Sequence, residues 1–267
     1  MNKDPSFDAT QLGRLLEEYV KVPKKYELLW EKYKNLDLKN KTAAEYCMHG
    51  FLRRFETLKR CIENIYTICP PKRSDKLFGN DLLDVTINLQ TFIFNVFGCL
   101  DNLAWIWVNE KQLKNKKGRL LSGKAVGLMS AEHNKIVRES FSQSFQNYLD
   151  SSTPWYDEYL KSYRHALAHR IPLYIPPFCL NPEEAKQYEM LEEQKFEAIR
   201  QNNLQLLSQI NEKQDRLGKF VPLTRHSNGE NSLPVIFHAQ ILADWNTIID
   251  IAEKFLDEFS SPPTPNL

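Results

Sequence analysis

The chain has little glycine, only 9 residues in 267, too few to supply the tight turns of an all-β protein. It also lacks a surplus of either charge: 35 Lys and Arg stand against 34 Asp and Glu. A global basic field therefore cannot bring the protein to nucleic acid, and any such contact needs a local patch. There is no CxxC pair among Cys47, Cys61, Cys69, Cys99 and Cys179. Scattered thiols, most of them in apolar helical patterns, read as small hydrophobes in a reducing compartment rather than as a disulfide framework. The start, Met1 to Pro5, lacks the apolar core of a signal peptide. The most apolar stretch, Val85 to Val108, is interrupted by Asn88, Gln90, Asn95, Asp101 and Asn102, too polar for a membrane span. These absences lead to the expectation of a soluble, cytoplasmic protein with no membrane partner.

Apolar and aromatic residues are plentiful, at 42% and 12%, enough for a substantial core. Their period is helical nearly throughout. Leu12/Leu15/Leu16/Tyr19 and Tyr26/Leu29/Trp30/Tyr33 predict two short helices divided at Pro23. Thr42 to Glu45 reads as a capping box opening a long helix, through Phe51, Phe55, Leu58, Ile62 and Ile65, that stops at Pro70-Pro71. A second long helix over 80–112 is apolar around much of its girth, so it belongs at the centre of a bundle. The short proline-marked loop makes the two an antiparallel pair.

Helical patterning returns near 133–150 and from Pro154 to about His169, and Ile171 to Pro177 must be extended. Residues 182–217 read as a polar helical excursion with an intermittent heptad through Phe196, Ile199, Asn203, Leu206 and Ile210. Phe220–Leu223 and Pro234–Phe237 suggest a small β-hairpin around Asn228–Ser232, before a last helix over about 238–259 and a frayed tail at 260–267. The expected fold is all-α: an antiparallel helical bundle formed by 1–181 and 218–267, with 182–217 inserted.

Several groups carry potential chemistry. Gly118 to Ala125 nearly spells a phosphate-binding P-loop, but Ala125 replaces the hydroxyl that would hold Mg²⁺, and no strand precedes it; it is a chance match. Lys114, Lys116, Lys117, Arg119 and Lys124 belong to a basic run over 111–138, either a solvated loop or a phosphate-backbone patch for RNA. Asp101 and Asn102 interrupt the bundle-centre stripe and must find partners or face a cleft. His165 and His169 are four apart and so share a helix face, yet no third ligand is near, and no metal site or cofactor is expected. Arg164, His165 and His169 crowd one helix end, where cations also complement the helix dipole, so a purely structural cap is one reading of them.

Arg164-His165-Ala166-Leu167-Ala168-His169 resembles the R-x(4–6)-H signature of the HEPN superfamily, in which the residue after the arginine is commonly Asn, Asp or His. The setting, two long antiparallel helices followed by the motif on a later helix, is similar as well. The resemblance implies a metal-independent endoribonuclease, of the kind met in toxin–antitoxin, antiphage defence and RNA processing. It implies His169 in proton transfer, Arg164 on the phosphate and His165 as an orienting group. It further implies a homodimer that brings two motifs together, and an antitoxin or other partner protein. Some members of the family are non-catalytic modules that bind nucleotide, RNA or a partner, and that is the alternative expectation.

Overall fold

A computed structural model describes residues 7–227 and 234–260. The chain folds as an all-α bundle with one two-stranded antiparallel sheet. Helix α1 (Ala9–Tyr19) opens on a reciprocal cap in which Asp8 accepts from the Gln11 amide at 2.8 Å and Gln11 accepts from the Asp8 amide at 3.0 Å. Helix α2 (Val22–Lys34) carries Pro23 in its first turn, where a missing amide proton costs nothing. Helix α3 (Lys41–Glu45) runs through a π-helical turn, Tyr46–Phe51, into α4 (Leu52–Ile68). Its cap is Asn40, not Thr42: the Asn40 carboxamide accepts from the Thr42 and Ala43 amides, so the helix starts earlier than the Thr42–Glu45 pattern suggests. The Glu110 carboxylate fixes this start from afar, accepting from the Lys39 and Asn40 amides, each at 2.9 Å.

Helix α5 (Gly79–Lys111) spans 33 residues, on the order of 50 Å. It lies against α4 for most of that helix's length. By length and composition α5 could cross a membrane, but 67% of its most apolar window is buried within the fold, as expected of a central helix. Short helices α6 (Lys135–Glu139) and α7 (Gln143–Ser151) follow, then a second π-helical turn, Trp155–Leu160, that leads into α8 (Lys161–His169). Strands β1 (Leu223–Thr224) and β2 (Val235–Ile236) pair Leu223 with Ile236 and Thr224 with Val235, the expected hairpin; its expected turn over Asn228–Ser232 lies outside the described residues, as does the tail beyond Ser260. The last helix closes the core by stacking Trp245 on Phe55 at 4.3 Å, while the Tyr33 hydroxyl donates to the Ala252 carbonyl at 2.8 Å.

The 182–217 excursion is two helices rather than one. α9 (Pro182–Arg200) and α10 (Leu204–Asp215) fold back on each other around Asn202, which adopts a left-handed backbone (φ 51°), and Asn203, which caps α10; the last helix, Phe237–Ser260, is therefore α11. Leu191, Ala198, Ile210 and Leu217 form a small core of its own between the two arms. At its base Cys179 and Lys219 exchange backbone hydrogen bonds at 2.8 and 3.1 Å. Gly218 sits there with φ 77°, and a Cβ on it would meet the Cys179 carbonyl at 2.9 Å.

Candidate active site

Helix α8 turns Tyr163 and Ala166 into the protein and lays Arg164 across α5. The Arg164 guanidinium stands 5.0 Å from the centre of the Phe97 ring, and Phe97 in turn stacks on Tyr156 at 5.6 Å. A guanidinium over an aromatic face is held by the ring's quadrupole without losing its hydrogen-bond donors. Among the described residues no hydrogen bond or ion pair engages those donors, so they stay available to a ligand.

Asp101 lies one helical turn beyond Phe97 on the same face of α5. Although its rim is open to solvent, protein crowds the carboxyl, and the lost hydration pushes it up to about 6 against the opposing pull of Arg164 and then Arg54. Arg54, on α4, carries no sequence signal that would single it out. Its Nε donates to the Asn102 carboxamide oxygen at 3.0 Å and its Nη1 to that of Asn95 at 3.1 Å. The seam closes only because two glycines leave room: a Cβ on Gly98 would fall 2.6 Å from the Arg54 guanidinium carbon, and one on Gly50 2.8 Å from the Asn102 amide nitrogen. Asn102 is thereby buried with its carboxamide oxygen engaged, and it lines a cavity of about 360 Å³ bordered by Thr42, Tyr46 and His49.

His165 and His169 project outward from the end of α8, both exposed, with ring centres 5.9 Å apart. Desolvation, the Arg164 charge and then His169 lower the His165 pKa. Residues five apart on a helix diverge by about 140°, and so Arg164 turns to α5 while His169 does not. The structure thus brings Arg164, Asp101, Asn102 and Arg54 together in one polar seam. It leaves the two imidazoles beside that seam on the solvent side.

The basic run is a separate feature. Lys114 bridges to Leu120 in a small loop whose turn is held by the Asn115 carboxamide, and Lys114, Lys116, Lys117, Arg119 and Lys124 are all exposed. The loop begins ten residues beyond Asp101, about 15 Å further along the axis of α5. Arg138, at the end of that run, is no part of a surface patch: it is buried, donates to the Leu128 and Gln146 carbonyls and pairs with Asp150. The Gly118–Ala125 stretch follows this loop, with a short 3₁₀ turn at Gly123–Ala125 and no strand–loop–helix setting. Among the described residues, no three His, Cys, Asp or Glu side chains gather as a metal-binding group.

Arg54's place in the seam was invisible in the sequence because Asn95 and Asn102, its partners, are 41 and 48 residues away where α4 meets α5. Two small residues at like helix positions, Gly50 and Gly98, were the available signal. Both π-helical turns border the site, one carrying His49 and Gly50, the other Tyr156; such turns interrupt the 3.6-residue period and leave no compositional mark. What fold and site define together is an all-α bundle with a guanidinium-rich seam flanked by surface imidazoles. Set against protein-family models, curated proteins and solved structures, the chain matches none.

Proposed function

We propose that the protein is a metal-independent endoribonuclease of the HEPN kind that works in the cytoplasm as a homodimer. The observation that carries this reading is the Arg164 guanidinium, seated on Phe97 with its donors unengaged and the motif histidines beside it. RNA carries its own nucleophile: the 2′-hydroxyl attacks the adjacent phosphorus, the 5′-oxygen leaves, and a 2′,3′-cyclic phosphate remains. The protein must then move protons near neutral pH, for which His169 is suited, and stabilise charge on the phosphoryl oxygens, for which Arg164 is suited. His165 orients the exposed pair. Arg54 adds a second guanidinium, and Asp101 faces both cations. The products are a cyclic phosphate and a 5′-hydroxyl. All five cysteines are free of disulfides and four of them are buried, an arrangement that fits a reducing compartment.

The divergence of Arg164 and His169 supports the homodimer, since one copy does not aim both at a single phosphate. An exposed apolar stripe supports this reading. Leu83, Ile87 and Phe94 are exposed on the face of α5 that carries Asp101, being 57, 51 and 39% accessible, an apolar stripe that leads to the seam. Roles in toxin–antitoxin or antiphage systems, with an antitoxin or other partner protein, belong to the same proposal.

The divergence of Arg164 and His169 also favours a second reading, a non-catalytic module that holds RNA or a nucleotide on Arg164. Mixed-sequence RNA incubated with the protein in EDTA separates the two. Cleavage to cyclic-phosphate ends, lost in both Arg164→Ala and His169→Ala, supports the nuclease; binding without cleavage supports the module. Equal cleavage by all three proteins would overturn the site assignment.

A further inference from the structure

On the other flank of the same helix lies a cavity of about 380 Å³, bordered by Trp155, Glu158, Tyr159, Ser162, Tyr163 and His226. That volume is of the size that holds a small molecule. Its aromatic walls are fixed from behind. Trp155 Nε1 donates to Asp244 Oδ1 at 2.7 Å and the Tyr159 hydroxyl to Asp244 Oδ2 at 3.1 Å, while the Tyr163 hydroxyl donates to the Thr224 carbonyl at 3.2 Å. Trp155 and Tyr159, four apart and so on one face of their helical turn, both reach the same carboxylate. Ser162 Oγ and His226 Nε2 face each other at 3.1 Å. With those polar ends committed to protein partners, Trp155 and Tyr159 line the cavity with ring carbon, and Tyr163, buried and packed on Tyr159 at 4.9 Å and on His226 at 5.1 Å, closes its floor.

Among the described residues the fixed charge at this cavity is negative, and His226 is the one imidazole in its lining. Among the described residues, Glu158 stands exposed at its edge with no ion-pair partner, and no Lys or Arg borders the cavity. Asp244, wholly buried behind Trp155 and Tyr159, takes a third hydrogen bond from Gln240 at 2.7 Å. Electron-rich rings with carboxylates beside and behind them attract a positive, weakly hydrated ligand and repel an anion.

We infer that this cavity binds a small organic cation, an alkylated ammonium, against Trp155 and Tyr159 with Glu158 as its counter-charge. The site is independent of the ribonuclease reading: it uses none of Arg164, His165 or His169, and its occupant is not a phosphate.

The test uses the full chain and two probes of equal shape, choline and its uncharged isostere 3,3-dimethylbutan-1-ol, followed by calorimetry and by saturation-transfer NMR. Choline is expected to bind saturably at millimolar concentration or below and about 10-fold tighter than the isostere. Glu158→Gln, an exposed change that spares the fold, should weaken choline about 3- to 5-fold and leave the isostere unaffected; Glu158→Lys should abolish choline binding. Equal affinity for the two probes, choline binding untouched by Glu158→Lys, or no saturable choline binding would each overturn the assignment.

Discussion

The guanidinium of Arg54 occupies the space above Gly98 where any other residue of α5 would carry a side chain, at 2.6 Å from the missing Cβ. Gly98→Ala should therefore push Arg54 off Asn95 and Asn102. The lost hydrogen bonds, about 1 kcal/mol each, are offset by roughly 1 kcal/mol of better helix propensity. Urea denaturation should register a loss of no more than about 1 to 2 kcal/mol. RNA binding should fall as far as it does in Arg54→Ala. A Gly98→Ala protein that binds RNA like the wild type would remove Arg54 from the site.

Arg164→Lys keeps the charge but gives up the planar fork and the stacking on Phe97. The expected outcome is a protein of unchanged helicity and thermal midpoint whose RNA cleavage rate drops on the order of 10- to 100-fold. Circular dichroism beside a fluorogenic RNA assay checks both halves. If lysine serves as well as arginine, the guanidinium acts as a point charge only.

Two buried groups oppose each other in acid. Burial holds the His238 imidazole down at about 4, even though its Nε2 is paired with the Cys69 carbonyl, whereas burial pushes Asp244 up to about 6 against the hydrogen bonds of Trp155, Gln240 and Tyr159. As pH falls from about 6.5 to 4, the unfolded chain takes a proton on His238 before the folded one, and stability is lost. Between about 6 and 4 the folded protein takes a proton on Asp244 first, and stability is gained. Each shift of about two units corresponds to on the order of 3 kcal/mol. Asp244→Asn should thus make the acid limb steeper than in the wild type, and His238→Gln should flatten or invert it. Chemical denaturation at pH 7, 5.5 and 4 reads this directly; parallel profiles for all three proteins would contradict it.

The α9–α10 connection depends on two asparagines with different tasks. Asn203→Ala removes the side chain that accepts from the Leu206 amide at 3.0 Å and should cost about 1 kcal/mol. Asn202→Gly, at φ 51°, should cost only a few tenths. Hydrogen exchange along 186–215 distinguishes them, because faster exchange in Asn203→Ala should stay within this hairpin with its own core.

Helices with a sustained apolar stripe were legible in the sequence. Leu89, Phe92, Val96, Leu100 and Leu103 fixed α5, and Pro70-Pro71 fixed the end of the element before it. The bend between α9 and α10 was not legible, since Gln201, Asn202 and Asn203 contain no proline or glycine and continue a plausible polar helix. The start of α3 was misplaced for a different reason: Asn40 and Thr42 are both good caps, and what favours Asn40 is Glu110, some seventy residues away. Within the site, Arg164, His165 and His169 could be singled out because they are neighbours on one helix. Arg54, Asn95 and Gly98 could not, because their relationship exists only once α4 and α5 are side by side.

The π-helical turn at Trp155–Leu160 amounts to one surplus residue in an otherwise α-helical rod. Excising a single position there would let the rod rewind to ordinary pitch and rotate everything upstream by about 100° relative to Arg164. Tyr156 would swing off Phe97, and Trp155 would part from Asp244. One inserted codon thus sets the alignment of both flanks of this helix, and they stand or fall together.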